Sequence, residues 1–151
     1  EMVSGIRNVR SEMNIPHGAD LRVLIRVSEE DPDLAERLES HANYFEKLAD
    51  VTELEAGTDV EKPPASASVV VGASEVYVPL KEVIDLEVER KRLEKEIDQK
   101  EDFLRGVEEQ LSNEQFLTKA PDHVVEKERK KKKDAKTELE KLRANLESLR
   151  T

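Results

Sequence analysis

Residues 86–111, LEVERKRLEKEIDQKEDFLRGVEEQL, decide the fold, because their apolar positions Leu86, Leu93, Ile97, Leu104, Val107 and Leu111 are separated by seven, four, seven, three and four residues. Those steps trace one narrow stripe along a helix, too thin to enter a globular core and suited to a single partner helix. Lys100 falls within the stripe and interrupts it. Beyond the connection Ser112 to Pro121, a second stripe runs through Val125, Ala135, Leu139, Leu142, Leu146 and Leu149, with Glu128 and Lys132 as its polar breaks. Pro121 suits the first turn of the second helix, where no amide hydrogen is needed, and Asp122 suits its positively poled end. A connection of about ten residues lets two helices fold back antiparallel. Each would be about 40 Å long at the α-helical rise. The expectation for residues 86–151 is therefore a long antiparallel two-helix coiled-coil hairpin.

The preceding residues are built differently. All prolines except Pro121 and all glycines except Gly106 lie before residue 86. Residues 1–85 carry 18 acidic and 8 basic side chains, a balance of −10, whereas residues 86–151 carry 17 of each. Val3, Ile6, Val9 and Met13 have helical spacing and end at the turn cluster Asn14 to Gly18. Leu21, Val23, Ile25 and Val27 alternate with other residues as in a half-buried strand. Asp31 before Pro32 marks a helix start, from which Leu34, Leu38, Ala42, Phe45 and Leu48 make one apolar face. Val51 to Ala56 reads as a strand, Gly57 to Ser66 as a loop, and Val69 to Val71 with Val76 to Val78 as a hairpin around Gly72, Ala73 and Ser74. The fold class is α+β: a small α/β junction domain over residues 15–85, then the hairpin.

Several function classes drop out. No apolar run is long enough to span a bilayer and no signal peptide is visible, so the chain reads as soluble and cytoplasmic with no membrane partner. There is no cysteine, and His17, His41 and His123 are too scattered for a local metal motif. No Gly-rich phosphate loop, H-E-x-x-H or G-x-S-x-G is present. Catalytic residues, metal ligands and cofactors are expected to be absent from this stretch.

What remains is charge and a loop. The overall charge of −10 speaks against nucleic acid, yet residues 122–150 hold 10 basic against 7 acidic side chains. Lys127, Arg129, Lys130, Lys131, Lys132, Lys133 and Lys136 form the strongest basic run. It reads either as a stripe tracking phosphates or as a solvated face balanced by Glu87, Glu94, Glu101, Glu108 and Glu109 on the opposing helix. Phe116 and Leu117, between the helices, either cap the seam or present a flat surface to a base pair or a protein. Arg7 and Arg10, three apart on one helical face, either bind phosphate or pair with acidic neighbours such as Glu12. On these residues two functions compete: a nucleic-acid-binding arm, or a coiled-coil structural and oligomerisation module for protein partners.

The succession Ile6-Arg7-Asn8-Val9-Arg10-Ser11-Glu12, the junction Pro79-Leu80 leading into Ile84-Asp85-Leu86-Glu87, and Asn113-Glu114-Gln115-Phe116 followed by Ala120-Pro121-Asp122-His123-Val124-Val125-Glu126-Lys127-Glu128 closely resemble the C-terminal end of bacterial-type valyl-tRNA synthetases. The resemblance runs essentially from end to end. It implies that residues 1–14 are the end of a helical anticodon-binding domain and that residues 86–151 are a tRNA-binding arm reaching the outer corner of tRNA, where the D and T loops meet. It implies Asn113, Phe116, Lys119, Lys127, Arg129 and Lys130 as contacts, with Arg7 and Arg10 turned toward tRNA or toward the rest of the synthetase. The family's His-Ile-Gly-His and Lys-Met-Ser-Lys-Ser type signatures are absent. ATP, Mg²⁺ and valine activation would therefore belong to a larger parent enzyme, and this stretch to a monomeric, non-catalytic piece of it with valine-accepting tRNA as partner.

Overall fold

The structure is a computed structural model and describes residues 1–150. It is α+β and divides into two compact units, one of Glu1–Glu89 with the residues from Ser148 onward, the other of Arg90–Glu147. In the first unit the order is α1 (Met2–Glu12), β1 (Leu21–Arg26), α2 (Asp33–Ser40), α3 (Ala42–Ala49), β2 (Val51–Gly57), β3 (Ser66–Val71) and β4 (Ser74–Pro79). The strands form one mixed sheet in the order β2-β1-β4-β3. β1 and β2 are parallel, which the α2–α3 crossover permits, and the other pairs are antiparallel.

The core follows the alternation in β1. Leu21, Val23 and Ile25 are buried together with Val76 and Val78 of β4. α1 lies against β3 and β4, and its Ile6 and Val9 are buried. The approach is close at Gly5, where a Cβ would stand 2.9 Å from Cγ1 of Val69. β1 is not half-buried, as its alternation predicts: Leu24 is also buried, in a second cluster with Tyr77 and Val60. Val60 comes from the loop before β3, so the loop covers the opposite face of the sheet.

The apolar face beginning at Leu34 is split between two helices. At His41, the acceptor that a continuing helix would use is the carbonyl of Arg37. That oxygen accepts a hydrogen bond from Ser40 Oγ at 2.7 Å and lies 2.7 Å from His41 Nδ1, while the His41 amide turns to Leu38. Side chains competing for the backbone thus end α2. Asp31 does not cap it either; its carboxylate pairs with Arg37 at 2.7 Å. After the break Phe45 is buried but Leu48 is 52% exposed, alongside Tyr44.

Arg10 ties the unit together. Its guanidinium donates to the carbonyls of Ala49 at 3.0 Å, Pro16 at 3.2 Å and Asp50 at 3.2 Å, and also to that of Ala19. Of the two expectations for this residue, the acidic pairing is corrected: it binds backbone oxygens where α3 ends and where β1 is about to begin, not an acidic side chain. On β4, Glu75 accepts from Tyr77 Oη and from Arg26, each at 2.8 Å, and the Arg26 guanidinium lies 5.6 Å from the centre of the Tyr77 ring. The Tyr77 hydroxyl, and then Arg26, hold the Glu75 carboxyl below its ordinary value.

Replacing Arg10 with lysine is expected to lower unfolding stability by about 2–3 kcal/mol, because one ammonium cannot span four carbonyls; urea denaturation measures it. Since the folded-state pKa of Glu75 is depressed, its contribution is present above the unfolded value of about 4.3 and is lost as pH falls through the folded value. Stability of the unmodified chain is accordingly expected to fall more steeply below about pH 5 than that of Glu75→Gln, in denaturation curves recorded across the acid range.

Candidate functional site

The second unit consists of helices: α4 (Leu86–Ser112), whose first residues belong to the first unit, α5 (Glu114–Lys119) and α6 (Asp122–Ser148). Leu93, Ile97 and Val107 of α4 and Val125, Ala135 and Leu139 of α6 are buried, all at stripe positions. Ion pairs join the helices, among them Lys100 to Glu138 at 2.6 Å and Arg143 to Glu101 at 2.8 Å. Lys100, which interrupts the stripe, is thereby matched by a carboxylate, and its ammonium also lies 5.4 Å from the centre of the Phe103 ring. A hollow of about 450 Å³ beside the second pair is lined by Leu104, Leu139, Lys136 and carboxylates including Glu108 and Glu140.

The connection expected as a loop contains α5. Asn113 starts it, in extended conformation, with its side-chain oxygen accepting from the amides of Gln115 at 3.0 Å and Phe116 at 3.4 Å. This is an N-cap, satisfying donors that the first turn leaves free. The oxygen of one candidate contact residue is therefore engaged within the helix. Phe116 is half-buried, Leu117 is 38% exposed, and Lys119 is exposed in the last turn. Pro121 stands one residue before α6 and its carbonyl accepts the amides of Val124 and Val125.

The basic run lies on α6, and its members differ. Arg129 pairs with Glu126 at 2.8 Å, and Lys131 with Glu128 at 2.8 Å. Both carboxylates come from α6 itself, from positions three residues earlier. Of the opposing acids considered as balancing charges, Glu101 pairs with Arg143 outside the run, and Glu94, Glu108 and Glu109 pair with none of its cations. Lys132 is half-buried at its stripe position. Lys127, Lys130, Lys133 and Lys136 are exposed, and among the described residues their ammonium groups have no ion pair or hydrogen bond. In the first unit Arg7 is likewise exposed and unpaired, beside a hollow of about 380 Å³ that Arg10, His17 and Leu48 also line. Arg7 and Arg10 belong to the first unit and the lysines of the run to the second. Sequence reading missed the roles of Glu126 and Glu128, although their i,i+3 spacing to Arg129 and Lys131 was a usable signal.

Comparison with known proteins places this geometry. The family model for the valyl tRNA synthetase tRNA binding arm matches residues 85–150. Residues 85–150 belong to that family. Similarity extends beyond the arm: the chain is 39% identical over 149 residues to the valine–tRNA ligase of Syntrophotalea carbinolica, covering 99% of this chain and 16% of that protein. It is 37% identical over 134 residues to that of Bacillus subtilis, covering 89% and 15%, and 34% identical over 151 residues to that of Enterococcus faecalis, covering 100% and 17%. The chain thus spans about one sixth of the length of these relatives and corresponds to their C-terminal region.

Among the described residues no three His, Asp or Glu side chains are placed to hold a metal ion, and no helix is long and apolar enough to cross a membrane. Asn113→Ala is expected to cost α5 about 1 kcal/mol. Amide hydrogen exchange at Gln115 and Phe116 should accelerate roughly fivefold, with the rest of the arm unchanged.

Proposed function

We propose that this chain is the non-catalytic, tRNA-binding C-terminal region of a valine–tRNA ligase, in which α4 and α6 pair along their length as an antiparallel coiled-coil hairpin. Residues 1–14 are the end of an anticodon-binding domain, residues 15–85 a junction, and residues 86–151 the arm. The hairpin rests on the outer corner of a valine-accepting tRNA, contacting backbone and shape rather than reading bases. ATP, Mg²⁺ and valine activation belong to the rest of a larger cytoplasmic synthetase. The observation that carries this reading is the match of residues 85–150 to the tRNA-binding-arm family.

The geometry supports it. Lys100 and Glu101, near the middle of α4, reach Glu138 and Arg143 of α6, so the two long helices lie side by side there. α6 offers ammonium groups not neutralised by neighbours. Exposed cations on a slender helical support suit the polyanionic surface of RNA. The hairpin closes on itself, so the chain is a monomer.

Fluorescence-anisotropy titration of a valine tRNA transcript with the 151-residue chain tests the function. Affinity is expected to fall at least tenfold between about 50 and 200 mM salt. Absent binding at the lower salt, or an affinity indifferent to salt, would overturn it. Sedimentation equilibrium is expected to give the monomer mass across concentrations, whereas concentration-dependent dimers would favour an oligomerisation module.

A further inference from the structure

The unpaired lysines of α6 are not scattered. Lys127, Lys130, Lys133 and Lys136 follow one another at intervals of three, and all are exposed. Residues three apart on a helix are surface neighbours, with Cβ atoms about 5–6 Å apart. Repeated steps of three build a continuous ridge inclined roughly 45° to the helix axis. From Lys127 to Lys136 this ridge climbs about 13.5 Å and turns through about half the helix circumference, at 1.5 Å and 100° per residue. The other exposed cations of the run, Arg129 and Lys131, lie off the ridge and are held by Glu126 and Glu128.

Resting on the tRNA-binding reading above, we propose that the four-lysine ridge is the phosphate-binding element of the arm, followed by the backbone of one RNA strand crossing α6 obliquely. Arg129 and Lys131 take no part. A free ammonium meets a phosphate by giving up only water and counterions, whereas a paired cation must first leave its carboxylate. Release of counterions is what drives such binding. The ridge spacing is comparable with that of successive phosphates along a strand, and flexible four-carbon stems let side chains from both ends of the half-turn reach one strand. Lys136 shares its hollow with Glu108 and Glu140, so its contribution is the smallest of the four.

The experiment is the salt dependence of binding, with the tRNA transcript as probe and the full 151-residue chain as protein. Lys130→Gln or Lys133→Gln is expected to reduce the slope of log affinity against log salt by about 0.7–0.9 each, and Lys130→Arg to retain it. Arg129→Gln and Lys131→Gln are expected to leave the slope unchanged. Glutamine has helix propensity similar to lysine, so circular dichroism should show equal helix content throughout. Equal flattening by the paired and the ridge substitutions would overturn the ridge while leaving tRNA binding intact, as would a slope indifferent to Lys130 and Lys133. Failure of the unmodified chain to bind would overturn the ridge and the tRNA-binding reading together. Flattening by anything other than charge is exposed by Lys130→Arg, because a slope lost in that variant also overturns the proposal.

Discussion

Because the chain has only three phenylalanines, two tyrosines and no tryptophan, the volume it can close off from water is small, and its architecture follows from how that volume is divided. Most of the large side chains that are fully buried serve the four-stranded sheet: Ile6, Leu21, Val23, Ile25, Val76, Tyr77 and Val78. On the long helices, Leu93, Ile97, Val107, Val125, Ala135 and Leu139 are what is left to line a narrow apolar stripe. A helix with so thin an apolar stripe is stable only beside a second stripe of the same pitch, which leaves most of its circumference to water. The exposed lysines of α6 follow from that economy. A thicker core would have buried more of the helix on which they stand.

Polar groups do the remaining work at places where apolar contact is scarce. Lys100 within the stripe of α4 is answered by Glu138, and Arg26, Glu75 and Tyr77 share one hydrogen-bonded cluster at the end of the sheet. Such half-exposed pairs add little stability each. Their use is geometric, since a lysine that must meet a carboxylate on the neighbouring helix disfavours registers in which the stripes slide past one another. Glu126 and Glu128 act on charge density in the same way, occupying two cations of a run that would otherwise be uniformly basic.

Periodicity made the long helices and the strands legible, because apolar spacing reports directly on which face is buried; Ile97, Val107, Ala135 and Leu139 are buried where the stripes placed them. The break at His41 was not legible, since it depends on Ser40 and His41 taking the Arg37 carbonyl, a choice between side chain and backbone that spacing does not record. The burial of Leu24 was hidden for another reason. It depends on Val60, 36 residues away, returning over the sheet. For the candidate site, the basic run was evident from composition and the family from its motifs, but the division of the run into paired and free cations required knowing which carboxylates stand within reach.

Arg10 has a consequence for how the first unit opens. Its guanidinium holds carbonyls on both sides of β1's entry, Pro16 and Ala19 before the strand and Ala49 and Asp50 at the close of α3. Fraying of either segment strips donors from the other, so the end of α1, the approach to β1 and the α3–β2 turn form one cooperative opening unit. Asn14 and Asp50, both in left-handed backbone conformation, sit inside that unit, each followed by the segment it redirects. A single side chain therefore reinforces the backbone bond from the Leu21 amide to the Asp50 carbonyl and couples two chain reversals, 39 residues apart from Arg10 to Ala49.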